Sequence, residues 1–117
     1  MSDLQCPASF VLLTPETAAT CDVSELRLSL VVCACATNAQ TVQRLAAKDR
    51  CTIETSTLAD AADLATKINR LADQYRGEQV AVIEDSKLIC AALNQRAAPT
   101  LPIQIAVDSD GWNIRVG

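Results

Sequence analysis

The chain has no histidine, and this absence removes several kinds of catalytic site. Histidine is the usual base that activates a serine or cysteine nucleophile, and it is the commonest metal ligand in proteins. Six cysteines are present, but no two of them have the Cys-x-x-Cys spacing of a zinc site. We therefore expect no bound metal and no nucleophile activated by an imidazole.

Glycine and positive charge are scarce as well. Gly77 is the only glycine before residue 111, so the chain has no glycine-rich loop of the kind that cradles phosphates in nucleotide-binding proteins. Its 10 Lys and Arg residues are scattered and are outnumbered by 14 Asp and Glu, which leaves a net charge of −4. Such a surface does not neutralise a phosphate backbone. We expect neither a cofactor nor a nucleic-acid partner.

Long apolar runs are also missing. The longest, Leu28 to Ala36, is interrupted by Ser29 and is well short of the roughly 20 residues that cross a bilayer. The N-terminal region has no basic segment, and its apolar stretch from Phe10 to Leu13 is shorter than the core of a signal peptide. We therefore expect a cytoplasmic protein that does not enter membranes and keeps its cysteines reduced.

What the chain does contain is an alternation of strand-like and helix-like segments within 117 residues, half of them apolar. This length predicts one domain, residues 1–117. We predict strands at 9–14, 29–35, 79–83, 103–107 and 112–116, a short edge strand at 51–55, and helices at 38–48, 57–76 and 87–94. The alternation predicts an α/β fold of three layers, with a mostly parallel central sheet, helices on both faces and a C-terminal β-hairpin.

Ligands of such sheets bind beyond the carboxyl ends of the strands, so the loops at 14–17, 37–40 and 84–87 are the places to look for chemistry. These loops, taken in order, resemble the histidine phosphatase, or phosphoglycerate-mutase-like, superfamily. In that family the first strand runs into an Arg-His-Gly-Glu-Thr-like motif. The segment LLTPET, residues 12–17, is similar to it only in Glu16 and Thr17.

Two further segments and the end of the chain carry the resemblance. The family's second strand ends in a Ser-Pro-Leu-x-Arg-Ala-x-Gln-Thr-Ala-like segment, and CACATNAQTV, residues 33–42, is similar in its Gln-Thr pair and in the helix that follows. The later Val-Ser-His-Gly-like loop is matched in position by IEDS, residues 83–86. The closing strands resemble DSDGWNI, residues 108–114.

The departures from the family pattern bear on function. Its chemistry needs a nucleophilic histidine, a proton-transfer partner and arginines that stabilise the transferring phosphoryl group. Here Leu13, Thr14, Thr37 and Asp85 stand where these groups would be. The resemblance therefore implies a non-catalytic domain that acts as a protein-interaction or assembly module. A short α/β domain leaves apolar surface exposed, so we expect a protein partner or a homo-oligomer.

A second class of function stays open. Glu16, Cys35, Glu84 and Ser86 lie at the same strand ends and could line a remodelled pocket of a small enzyme or ligand-binding protein. Against this, no histidine can activate Ser86, and Asp85 is a good N-cap for the helix that follows. A response-regulator-like or other flavodoxin-like domain shares the alternation, but the acidic cluster expected after its first strand is missing.

Overall fold

The computed structural model describes residues 7–20, 27–34, 39–47, 50–56, 60–92, 103–108 and 111–115. Strands and helices alternate along most of the chain, as the sequence predicts. The elements are β1 (Ala8–Leu13), α1 (Pro15–Thr20), β2 (Leu28–Ala34), α2 (Ala39–Ala47), β3 (Thr52–Ser56), α3 (Ala61–Gln74), β4 (Gln79–Ile83), α4 (Ser86–Ala92), β5 (Ile103–Asp108) and β6 (Gly111–Arg115). None of the helices in these ranges is long and apolar enough to cross a membrane.

The strands form one sheet in the order β3-β2-β4-β1-β5-β6. The neighbours from β3 to β1 pair in parallel. Strand β5 runs antiparallel both to β1 and to β6. The predicted α/β fold with a mostly parallel sheet is therefore confirmed, and β3 is an edge strand, as its short alternating sequence indicates.

The central strands are buried on both faces, and their side chains divide into two apolar clusters. Phe10 and Leu12 of β1 belong to a cluster that contains side chains of α3 and α4. Val11 and Leu13 belong to a cluster that contains side chains of α1 and α2. Successive residues of a strand point to opposite faces, which accounts for this division. Continuous apolar runs such as VAVI of β4 are therefore needed, because polar residues would be buried on either side.

Helix α3 begins later than the sequence pattern predicts. We predicted a helix from residue 57 to residue 76, but Ser56 belongs to β3, and residues 57–59 lie outside the described part of the chain. The N-cap is Asp60, whose backbone is extended and whose carboxylate accepts a hydrogen bond from the Asp63 N–H at 3.0 Å. Aspartate is among the strongest N-cap residues, which favours this later start.

The turn between α2 and β3 ends α2 with a left-handed residue. The Cys51 N–H donates to the Ala46 carbonyl at 3.2 Å, and the Arg50 N–H donates to the Ala47 carbonyl at 3.3 Å. Together these two bonds form a Schellman motif, which needs a residue of positive φ. Arg50 provides it with a φ of 51°. Glycine adopts this conformation more readily, because it has no Cβ to clash with the backbone.

We expect Arg50→Gly to raise the free energy of unfolding by about 1 kcal/mol, because the left-handed conformation then has no steric penalty. Arg50→Ala removes the same guanidinium but keeps Cβ, so it is the matched control and should leave stability nearly unchanged. Urea unfolding followed by the fluorescence of Trp112, the only tryptophan, measures both variants. Equal stabilisation by the two substitutions would contradict the backbone explanation.

Candidate functional site

The carboxyl ends of β2, β4 and β1 adjoin in the sheet, because β4 lies between the other two strands. Leu13 is the register partner of Ile83, and the pairing continues one residue further through a hydrogen bond from the Glu84 N–H to the Leu13 carbonyl at 2.9 Å. The two chains therefore leave the sheet side by side. We call the polar residues that follow, Thr14, Thr17, Glu84 and Asp85, the strand-end site.

At the end of β1, Thr14 and Thr17 bond to each other in both directions. The Thr17 N–H donates to Thr14 Oγ1 at 3.2 Å, and the Thr14 N–H donates to Thr17 Oγ1 at 2.8 Å. This is the reciprocal arrangement of a capping box, with threonine in place of the usual Glu or Gln at the fourth position. Thr14 is only 8% exposed. Its hydroxyl therefore serves as the N-cap of α1.

The sequence interpretation missed α1 and treated 14–17 as a loop. Helix α1 has only six residues, too few for a helical period to stand out. Its start does carry local signals, because Thr14 is a favoured N-cap residue, Pro15 fits the first helical position and Glu16 suits the first turn. These signals were sufficient to find the helix.

At the end of β4, Asp85 caps α4. Its Oδ1 accepts a hydrogen bond from the Lys87 N–H at 3.1 Å, and its carbonyl accepts from the Ile89 N–H at 3.0 Å. The N-cap role expected for Asp85 is therefore confirmed. The carboxylate lies at the positive end of a helix dipole, which favours its charge.

Glu84 is a buried carboxyl beside this cap. The residue is 8% exposed, and its Oε1 accepts a hydrogen bond from the Asp85 N–H at 3.2 Å. Burial raises the pKa of Glu84 above its ordinary value, since the charged form loses hydration. The hydrogen bond from Asp85 opposes this rise, and the negative charge of Asp85 adds to it.

The other predicted site residues lie in different surroundings. Leu13 is fully buried and packs within the cluster that contains α1 and α2 side chains. Glu16 is exposed in the first turn of α1, and Ser86 is the first residue of α4. Cys35 and Thr37 lie outside the described residues. Of the predicted residues, the structure brings Thr14, Glu84 and Asp85 to neighbouring strand ends.

One contact between α1 and α2 was not predicted from the sequence. The Arg44 guanidinium of α2 donates a hydrogen bond to the carbonyl of Ala18 in α1. A cation that bonds a carbonyl in the last turn of a helix stabilises that turn. Arg44 therefore ties the short α1 to α2, and no local sequence pattern indicates such a contact.

The chemistry available at the strand-end site is limited by these bonds. The side-chain oxygens of Thr14, Thr17 and Asp85 accept backbone N–H groups at the helix starts. Across the described ranges, no three Asp, Glu or Cys side chains come together to hold a metal ion. Glu84 is the member of the site whose environment suits a proton donor or acceptor, because its pKa is raised.

No protein-family model matches the chain, and no curated protein matches it either.

We expect Thr14→Ala to lower the free energy of unfolding by about 1 to 2 kcal/mol, because it removes the N-cap of α1 and one half of the reciprocal pair. Thr20→Ala, an exposed threonine in the same helix, is the matched control and should change stability by less than about 0.5 kcal/mol. Urea unfolding measures both. Similar losses in the two variants would show that the Thr14–Thr17 pair has no special role.

We expect Glu84→Gln to change how stability depends on pH. The raised pKa means that the folded state holds its Glu84 proton to higher pH than the unfolded state does, so the wild type gains stability as pH falls through the folded pKa toward 4.5. The variant lacks this gain, so its stability relative to the wild type should be greatest near pH 7 and decline toward pH 4.5. Unfolding in urea across this range measures the difference.

Glu16→Gln is the control for this comparison, because Glu16 is exposed on α1. It makes the same chemical change as Glu84→Gln at an exposed position, so it shows what the loss of a surface carboxyl alone does to stability. Parallel profiles for wild type and Glu84→Gln would contradict the assignment of Glu84 as a carboxyl disfavoured by burial.

Proposed function

We propose that this chain is a non-catalytic domain, similar to the histidine phosphatase superfamily, that acts as a protein-interaction or assembly module. The observation that carries the proposal is the use of polar side chains at the strand ends. Thr14 and Asp85, which stand in the positions of catalytic groups in the resembled family, have their oxygens bonded to backbone N–H groups of α1 and α4. Side chains in this role hold helices and are not free to act on a substrate.

The topology also supports the proposed relationship. The segments that resemble the family's motifs follow β1, β2 and β4, and these strands are neighbours in the order β2-β4-β1. A phosphatase site assembled from three such loops requires the loops to meet beyond the carboxyl ends of neighbouring strands. The absence of histidine from the sequence means that a domain with this arrangement would lack the phosphohistidine step.

We further propose that the domain has three layers and ends in a β-hairpin. The two apolar clusters support the layers. Side chains on one face of the sheet share a cluster with α3 and α4, and side chains on the other face share a cluster with α1 and α2. The pairing of Asp108 with Gly111 supports a tight connection between β5 and β6. Residues 109 and 110, which would form its tip, lie outside the described part.

A cytoplasmic location and a protein partner complete the proposal. Cys90 of α4 is a free thiol, which suits a reducing compartment. The net charge of −4 and the apolar composition favour a partner bound by burial of apolar surface over one bound by charge.

The test of the non-catalytic assignment is turnover of phosphomonoesters. Purified protein should hydrolyse p-nitrophenyl phosphate no faster than a heat-denatured sample of the same protein. Asp85→Ala should not change this background rate, because Asp85 caps a helix. Robust turnover that Asp85→Ala abolishes would overturn the proposal.

The test of association is light scattering at micromolar concentration in low and high salt. A complex held by apolar burial should persist at about 1 M NaCl, where the Debye length falls to about 3 Å and exposed ion pairs are screened. A monomer in both conditions that also recovers no partner from cells would contradict the interaction role.

The alternative function is a small enzyme or ligand-binding protein that uses Glu16, Cys35, Glu84 or Ser86. The observation that favours it is the burial of Glu84 together with its raised pKa, a combination common at functional sites. A small molecule that raises the melting temperature of the wild type and not of Glu84→Gln would favour this alternative. Glu16→Gln would show whether the effect is specific to the buried carboxyl.

A further inference from the structure

Strand β3 lies at one end of the sheet order and pairs only with β2 among the described strands. Its outer edge therefore presents backbone N–H and C=O groups that the sheet does not use. The second residue of this strand is Ile53, which is 41% exposed and is the one large apolar side chain that is exposed among the described residues. The exposed apolar residue and the open edge coincide.

Two common devices against edge pairing, lysine and proline, are missing from β3 itself. Natural proteins block open edges with lysine, proline, bulges or an inward-pointing charge. The sequence of β3 is TIETS, with three β-branched residues and neither lysine nor proline, and its pairing with β2 is regular over five residues. The carboxylate of Glu54 contacts the ammonium of Lys67 from α3, so its charge is neutralised within the same chain.

The two faces of β3 differ in character, and this restricts its partner. Ile53 is in register with Val31, which belongs to the cluster containing α2 side chains, whereas Glu54 is in register with Val32 of the cluster containing α3 side chains. A strand added to this edge needs an apolar residue on the α2 face opposite Ile53. On the α3 face it needs a residue opposite Glu54 that carries no negative charge.

We propose that β3 pairs with β3 of a second copy, antiparallel, about a two-fold axis at Ile53. This proposal deepens the assembly role proposed above and rests on it. In this register Ile53 faces Ile53 of the other copy, and Thr52 faces Glu54. The alternative two-fold at Glu54 sets two glutamates directly opposite each other, which is unfavourable. The two-fold at Ile53 is the register that pairs the exposed apolar side chain with itself and keeps the two glutamates apart.

A stable interface buries about 800 Å² on each side, more than a five-residue strand provides, so the helix nearest this edge must contribute. Helix α2 packs near the edge through the cluster that also includes Cys51, and the Lys67 side chain of α3 reaches Glu54 on the opposite face. A two-fold at β3 therefore places α2 of each copy beside the junction and produces a closed dimer with a continuous sheet.

Sedimentation equilibrium of the full chain from about 1 to 100 μM tests the proposal. We expect a dimer whose dissociation constant stays the same or tightens in 0.5 M NaCl, because each copy carries a net charge of −4 that salt screens. Ile53→Lys sets two ammonium groups opposite each other and should weaken the dimer about tenfold or more. Ile53→Val keeps a β-branched apolar residue and should retain it.

Two further variants test whether the effect of an added lysine is specific to the β3 edge. Ala91→Lys adds the same charge at an exposed position on α4 and should leave the dissociation constant unchanged. Thr55→Lys adds a charge to the same edge beside Ile53 and should also weaken the dimer. Fluorescence of Trp112 shows whether each variant folds, because the Trp112 indole bonds Asn69 of α3 and lies on β6, at the other end of the sheet.

A monomer throughout the concentration range would overturn the proposal, as would a dimer that Ile53→Lys and Thr55→Lys leave intact. Species larger than a dimer would indicate head-to-tail pairing of β3 with β6 and would overturn it as well. Failure of the dimer proposal can be distinguished from failure of the proposed function. A monomer that binds a different protein contradicts the dimer and supports the interaction role. Turnover of phosphomonoesters contradicts the proposed function whatever the oligomeric state.

Discussion

The parallel pairing of β1 with β4 is the interaction on which the other features depend. It runs in unbroken register from Ser9 with Gln79 to Leu13 with Ile83, and the side chains from Val80 to Ile83 are all buried. Two central strands buried on both faces need apolar side chains from helices on each side. The two clusters supply them, one with α1 and α2 and the other with α3 and α4.

The same pairing explains why the polar side chains at the strand ends are bonded to the helix starts. Because the two chains leave the sheet side by side, Thr14 and Glu84 are both enclosed, each with only 8% of its surface exposed. A polar group enclosed in this way is costly unless it has a hydrogen-bond partner. The N–H groups at the starts of α1 and α4 are the nearest donors, and Thr14, Thr17 and Asp85 accept from them. The Glu84 carboxyl accepts a hydrogen bond from the Asp85 N–H and keeps a raised pKa.

The two outer strands of the sheet, β3 and β6, are held by different contacts. At one end β6 is held to the body of the protein by the bond from Trp112 to Asn69 of α3. At the other end β3 is held by β2 and by the contact between Glu54 and Lys67, and its Ile53 faces solvent. The ion pair orients β3 and cancels the charge that would otherwise discourage another strand. The contact between Glu54 and Lys67 therefore stabilises the single chain and also neutralises a charge that would repel a second strand.

Local patterns were enough for much of this molecule. Apolar runs and helical periods placed all six of the described strands and three of the four described helices to within a few residues. The position of Asp85 between a strand and a helix identified it as an N-cap. These features depend on residues that are close together in the chain, so they can be predicted from the sequence.

Other features depended on contacts between distant segments. Ser56 is a good N-cap by type, yet its backbone pairs with Ala34 of β2, so Asp60 starts α3 instead. Helix α1 is too short to hold by itself and is tied by Arg44 of α2. Leu13 was predicted to stand in the position of a catalytic group, and its burial in the core follows from the pairing of β1 with β4. Which strand ends meet, and which edge stays open, follow from strand order, and strand order is decided only when segments far apart in sequence pack together.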